Sequence, residues 1–220
     1  MRTTAFVLLA SSLTLAPLAR GGAGETLRVR VSSAAAPCAE AAAQAWQSTA
    51  GRGVTVETGA LREKGDWDVL VGSSVELTRA LEGQDAVSDS DVEVASIPWV
   101  LHLSTADGRI RNLDDLARLG VEAALPSGDA SYEARRALAE HKVGRVRETT
   151  DAGRLRSAAV SLVPLSLAGS GQRLAVDVPP IRVGAAVGTR AHHPDDASAF
   201  VRYLGSEAGQ QAFAACAPAQ

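Results

Sequence analysis

Asp68-Val69-Leu70-Val71-Gly72 is a short continuous apolar run, and further strand-like stretches recur at Val121 to Leu125, Val160 to Val163 and Ile181 to Val187. A strand that is apolar on both faces has to be covered on both faces. Between these runs lie helix-forming stretches, and that alternation predicts an α/β fold with a largely parallel sheet. Leu27, Val29 and Val31 alternate with arginines, and Ser32-Ser33-Ala34-Ala35-Ala36 then leads to Pro37. Proline suits a helix's first turn, where its missing N–H has no role. Residues 37–49 are strong helix formers, Gly51 and Gly53 end them, and Val54-Thr55-Val56 opens the next strand. Further on, Ser74 is the expected cap of a helix ending near Gly83, and Ile97 to Leu103 reads as one strand interrupted early by Pro98. Asn112, with Asp115 three residues later, marks the start of a helix that stops at Gly120. Ser127-Gly128-Asp129-Ala130-Ser131 opens a helix to about Glu140. Periodicity alone allows one doubly wound sheet as readily as two lobes.

The first residues carry the pattern of a secretory signal: Arg2, an apolar core from Ala5 to Ala19, and Gly21-Gly22-Ala23 as a small-residue cleavage site. The core is too short to span a bilayer and contains Pro17. No cysteine lies near the cleavage point, so a free periplasmic or secreted protein is expected rather than a lipid-anchored one. Cleavage after Ala23 removes Arg2 and Arg20, which takes the 22 basic residues to 20 against 25 acidic ones, a net charge of about −5. No basic block remains to neutralise a phosphate backbone, so nucleic acid is not an expected partner. In an oxidising compartment the two cysteines, Cys38 and Cys216, favour a disulfide, with two separate buried thiols as the alternative.

The last forty or so residues have a distinctive order. A strand at Ile181–Val187 is followed by the turn His192-His193-Pro194-Asp195-Asp196, with Asp195 or Asp196 as helix cap. Ala199-Phe200-Val201-Arg202-Tyr203-Leu204 follows, then a break at Gly205 and a terminal helix from Ser206 through Phe213. This order resembles the C-terminal end of bacterial periplasmic solute-binding proteins of type II, and within them the molybdate-binding family of ABC importers. The resemblance covers essentially the whole mature chain. It implies an α/β, two-lobed periplasmic binding protein fold with mostly parallel sheets and a crossing hinge. After a signal peptide at 1–23, lobe one would comprise 24–98 and 181–220, and lobe two 99–180. It also implies a protein that captures a solute without transforming it. The expected partners are a small-molecule or oxyanion ligand and an ABC permease in the inner membrane, with the binding protein a monomer and no cofactor.

In that superfamily oxyanions are held by backbone N–H groups at helix N-termini together with serine hydroxyls. Unpaired amides and the helix dipole make such a site without a cation. The segments Ser32-Ser33-Ala34-Ala35 ahead of the first helix and Ser127-Gly128-Asp129-Ala130-Ser131 ahead of a later one have this form, with Ser32, Ser33, Ala34, Asp129, Ala130 and Ser131 as the expected contacts; plain N-capping is the competing reading. Thr58, Gly59 and Ser166 complete the expected set. Two departures from the molybdate pattern stand out. The second serine-rich loop is replaced by Glu57-Thr58-Gly59-Ala60-Leu61-Arg62-Glu63-Lys64 with no room for the usual helix, and Pro164 takes the place of a ligand tyrosine. A repurposed binding fold, serving interaction or sensing without transport, is therefore the alternative function.

Other chemistries are less well supported by the residues. Ferric-binding relatives use tyrosine pairs, and only Tyr132 and Tyr203 are present. Arg62 and Asp129 are the candidates for an amino-acid clamp. The cluster His192-His193-Pro194-Asp195-Asp196 matches no structural zinc spacing. There is no G-x-S-x-G elbow, and no histidine is evidently placed to activate a serine, so an enzyme is not expected.

Overall fold

The computed structural model describes residues 26–216; the export segment read at residues 1–23 lies outside them. In chain order the elements are β1 (Leu27–Val31), α1 (Ala36–Ala50), β2 (Val54–Thr58), β3 (Val69–Ser73), α2 (Ser74–Glu82), β4 (Val92–Ile97) and β5 (Trp99–Leu103). Then come α3 (Leu113–Leu119), β6 (Ala123–Pro126), α4 (Tyr132–Glu140), β7 (Val146–Thr149), α5 (Ala152–Ser157), β8 (Val160–Pro164) and β9 (Gln172–Ala175). The chain closes with β10 (Ile181–Val187), α6 (Pro194–Gly205) and α7 (Glu207–Ala214).

Two five-stranded sheets form, ordered β2-β1-β3-β10-β4 and β7-β6-β8-β5-β9, which excludes a single doubly wound sheet. Each is parallel through its first three strands. The remaining strands, β10 and β4 in one sheet and β5 and β9 in the other, pair antiparallel. The apolar stretch Ile97 to Leu103, expected to be one strand, is two. Pro98 has no N–H to continue a ladder, so β4 ends at Ile97 in the first sheet and β5 begins at Trp99 in the second. The sequence reading also missed β4, β7, α5 and β9, most of them short, exposed and weakly patterned.

Local chemistry accounts for the helix ends. Pro37 sits in the first turn of α1, and Gly51 closes that helix in the left-handed conformation at φ 66°. Asn112 accepts the Asp115 amide at 3.1 Å and Gly120 ends α3 at φ 63°, as the sequence predicts. The cap of α2 is Ser73 rather than Ser74: Ser73 and Glu76 form a reciprocal capping box. Asp195 and Asp196 do not cap α6 either. Position N-cap belongs to His193, without a side-chain cap, and Pro194 opens the helix. The turn before it is held instead by Asp68, which is 1% exposed and accepts the amides of Arg28, His192 and His193 at 2.8, 2.8 and 3.1 Å.

Small residues let α1 lie close on the first sheet: Ala39, Ala42 and Ala43 pack over the buried Leu27, Val29 and Val31. The other face of β1 carries Arg28 and Arg30. No helix follows β2, and the segment between β2 and β3 folds over that face instead. Trp67 lies against both guanidiniums, at 4.6 and 4.8 Å from ring centroid to carbon. Such cation–π contacts strengthen as they are desolvated, and Arg30 is only 6% exposed. Arg30 also donates to the Ala60 carbonyl at 3.2 Å and pairs with Glu63.

The tail returns to α1. Trp46 packs on Phe200 and Tyr203 at 5.7 and 5.1 Å between ring centroids. Cys38 and Cys216 are bonded, with their Cα atoms 4.7 Å apart and a sequence separation of 178. Closing so long a loop restricts the unfolded chain and stabilises the fold by about 2–5 kcal/mol. Replacing both cysteines with serine is expected to lower the unfolding free energy by an amount in that range, read as a lower denaturant midpoint, with no thiol free in the wild-type protein under denaturing, non-reducing conditions. Two titratable thiols per chain would contradict the bond.

Candidate ligand-binding cleft

The parallel strands of both sheets run toward each other. β1 and β3 lead to Ser32 and Ser73; β6 and β8 lead to Ser127 and Leu165. Two contacts join these ends. The Ser166 hydroxyl, just after β8, donates to the Ala34 carbonyl, just after β1, at 2.6 Å. Arg79 on α2 pairs with Asp129 in the 3-10 turn Asp129–Ser131 ahead of α4. The space between is the cleft at the carboxyl ends of the strands, the place where open α/β sheets bind ligands.

The first loop has donors left over. Ser32 is 4% exposed; its amide donates to the Val71 carbonyl at 2.9 Å and its carbonyl accepts from Ala35 and Ala36. Its hydroxyl is buried without a hydrogen-bond partner. The amides of Ser33 and Ala34 meet no acceptor among the described residues. Ser33 itself is exposed and Ala34 buried. The second loop repeats the arrangement: the Ser127 amide donates to the Thr149 carbonyl at 3.0 Å, and its hydroxyl is buried and unpartnered. The amides of Asp129 and Ala130 meet no acceptor among the described residues, whereas that of Ser131, 1% exposed, donates to Gly128. An unsatisfied buried hydroxyl costs about 1–3 kcal/mol, so one in each lobe at the same cleft calls for a functional explanation. Trp99 supplies a third such donor, its buried indole Nε1 lacking a partner where β5 begins. Ser127 lies in the second expected segment, although the contacts expected there were Asp129, Ala130 and Ser131; Trp99 was not expected, and its only sequence signal is its position next to Pro98.

Other expected residues are otherwise engaged. The Gly59 amide donates to the Val31 carbonyl at 2.8 Å, and a side chain at Gly59 would collide with the Arg30 guanidinium. Thr58 is exposed beside Val31 at the end of an edge strand. Glu57 does not enter the cleft, since Arg28 holds it at 3.3 Å on the Trp67 side. At α2 the helix N-terminus is already filled, because Glu76 accepts both the amide and the hydroxyl of Ser73 at 2.9 and 2.8 Å. Asp129 is paired by Arg79 and not by Arg62.

The rival chemistries are not assembled at the cleft. Tyr132 is 62% exposed and Tyr203 is stacked on Trp46 and Phe200, where burial pushes its hydroxyl pKa up. His192 and His193 lie at the opposite end of β3 from Ser73, beside Asp68. No group of three or more metal-ligating side chains is placed together among the described residues. His102 is fully buried in lobe two between Ser161, at 3.3 Å, and the Ser170 carbonyl, at 3.1 Å. The carboxylates with depressed pKa values, Asp107 at about 2 beside Arg109 and Asp115 beside Arg118, stand before and within α3 rather than at these loops.

Residues 27–215 match the family model of the bacterial extracellular solute-binding protein. The chain belongs to that family. Its fold recurs in the periplasmic molybdate-binding protein of Azotobacter vinelandii, with a TM-score of 0.76 at 15% identity over 88% of this chain and 99% of that one. The sulfate-binding protein SubI of Mycobacterium tuberculosis gives 0.70 at 17% identity over 88% and 86%. Iron-bound HitA of Pseudomonas aeruginosa gives 0.58 at 18% identity over 86% and 84%. No curated protein sequence gives a significant match. The family and these structural relatives are binding proteins, not enzymes.

Among the described residues, then, one neutral hydrogen bond and one ion pair cross the cleft of this solute-binding protein, beside an apolar core that runs through both lobes. Arg79 and Asp129 are each about half exposed, 47% in both cases, so their pair is worth roughly 0.2–1 kcal/mol, or up to about fivefold in a closed-to-open ratio. Single-molecule fluorescence with one dye per lobe should show Arg79→Ala shifting the population toward wider separation at low salt, with little further change at high salt. An unchanged distance distribution at low salt would show that the pair does not hold the lobes.

Proposed function

We propose that this protein captures a small tetrahedral oxyanion, of the molybdate or sulfate kind, in the periplasm and delivers it to an ABC importer as a monomer. One observation carries the reading: each lobe presents a buried, unpartnered serine hydroxyl, Ser32 or Ser127, beside open amides at the end of a parallel strand. A dianion in water is surrounded by donors. To leave water it needs an equivalent set of neutral donors, and helix N-termini with hydroxyls provide one. The molybdate- and sulfate-binding relatives share the fold and support the choice of ligand class.

In this account lobe one is 24–98 with 181–220 and lobe two is 99–180, hinged at Pro98 and at the return before Ile181. Ligand contacts to both lobes favour the closed form, which the permease then recognises. Ser32, Ser33 and Ala34 bind from one side; Ser127, Asp129 and Ala130 bind through hydroxyl and amides from the other. Ser131 supports the second loop, and Ser166 bridges to Ala34. A second reading, a binding fold serving interaction or sensing without transport, is favoured by the carboxylates of Glu76 and Asp129 at the cleft.

A thermal-shift screen with molybdate, tungstate, sulfate, phosphate and amino acids separates the two. An anion at a hundred times its dissociation constant should stabilise the fold by about 2.7 kcal/mol. Calorimetry on Ser32→Ala and Ser33→Ala should then show a loss of about 1–3 kcal/mol where a buried hydrogen bond is removed, while Arg62→Ala leaves affinity unchanged. Silence across all the oxyanions supports the second reading. Lost binding in Arg62→Ala alone points to a carboxylate ligand.

A further inference from the structure

Lobe two contains a concavity outside the cleft, of about 360 Å³, lined by Val100, Leu165, Gly171, Arg173 and Ala175. Its place follows from strand register. Val100 pairs with Ala175 and His102 with Arg173 across β5 and β9, so side-chain alternation puts Val100, Arg173 and Ala175 on one face. The other face, with Leu101 and Leu103, is core. β9 is the edge strand, and the pocket opens beside it. Leu165 closes the pocket from the turn after β8, where its amide donates to the Pro98 carbonyl at 2.8 Å. Both segments that cross between the lobes leave from this spot: Val100 stands two residues after Pro98, and Ala175 is the last residue of β9 before the chain returns to β10.

The polar element of the pocket is Arg173. One terminal nitrogen donates to the Gly169 carbonyl at 3.0 Å, which holds the guanidinium along the Gly169–Gly171 turn. Its Nε is buried and has no acceptor. The turn is fixed in turn by close approach: Gly171 has φ 139°, and a side chain there would strike the Leu103 carbonyl. Arg156 of α5 packs on the same turn, its Cβ 3.4 Å from where a Cβ on Gly169 would stand. An apolar pocket of this size, within the roughly 300–1,000 Å³ usual for small-molecule sites, with one oriented guanidinium matches a specific chemistry. An anion with two coplanar oxygens satisfies Nε and a terminal nitrogen together, and the Val100, Leu165 and Ala175 surfaces suit a short hydrocarbon.

We infer that this hinge-side pocket is a second binding site, separate from the cleft, for a small apolar carboxylate held by Arg173. Hexanoate is the probe, with hexan-1-ol and acetate as the uncharged and tail-less comparisons. Hexanoate titrated into the mature protein should give saturable amide shifts in nuclear magnetic resonance at Val100, Leu165 and Ala175. Arg173→Gln should weaken binding at least tenfold. Ala175→Phe, a substitution at an exposed edge position that fills the pocket, should remove it while the rest of the spectrum stays folded. Ser32→Ala should leave it unchanged, which separates this site from the cleft. The inference is overturned by any of three results: no saturable shift at these residues, hexan-1-ol binding as tightly as hexanoate, or binding that survives Ala175→Phe.

Discussion

A single proline divides this molecule. Pro98 interrupts what would otherwise be one continuous apolar strand, and because it cannot donate to a ladder the two halves join different sheets. Its carbonyl is meanwhile taken by the Leu165 amide, which ties the crossing to the end of β8. With β4 and β5 so placed, the parallel halves of both sheets point their carboxyl ends into the same gap. The layout of the cleft is a consequence: the first loop after β1, the capped helix after β3, and the loops after β6 and β8 all open there.

Within the gap, polar groups divide into those already satisfied and those left open. Glu76 fills the N-terminus of α2, Arg79 neutralises Asp129, and Ser166 uses its hydroxyl on Ala34. The open donors are the hydroxyls of Ser32 and Ser127 and the amides beside them. Neutral, fixed donors suit an anion that must be held firmly and then released, because they gain from the low dielectric of a closed cleft without binding a counter-charge irreversibly. The Arg30–Trp67–Arg28 stack shows how the first lobe manages without a helix after β2: the long side chains and the indole cover the sheet face that a helix would otherwise protect.

Much of this was legible in the sequence, and for identifiable reasons. The apolar run Val69–Val71 and the β-branched stretch Ile181–Val187, both short and bounded by turn residues, read as covered strands, and local caps such as Asn112 with Asp115 and Gly120 fixed helix ends to the residue. Long-range pairing was legible only for the cysteines, because oxidation leaves two of them one partner each. The edge strands β7 and β9 were not, since exposed side chains leave them without alternation. At the site, the two loops were marked by small residues before a helix. Which atom in each loop remains free depends on tertiary contacts: Ser32 rather than Ser33 is buried, and Gly59 is drawn onto Arg30. The hold of Asp68 on the turn before α6 was missed for the same reason, since Asp68 reaches amides 124 and 125 residues away, whereas the Ser73–Glu76 capping box is local and its spacing was there to be read.

The most direct test of the account is to locate the anion. Crystals grown with tungstate, and separately with selenate, give an anomalous scattering signal from the central atom alone. The account predicts one strong peak per chain, between the lobes and within hydrogen-bonding reach, through its oxygens, of the Ser32 and Ser127 hydroxyls. A peak elsewhere on the molecule, or none with either anion at saturating concentration, would contradict it.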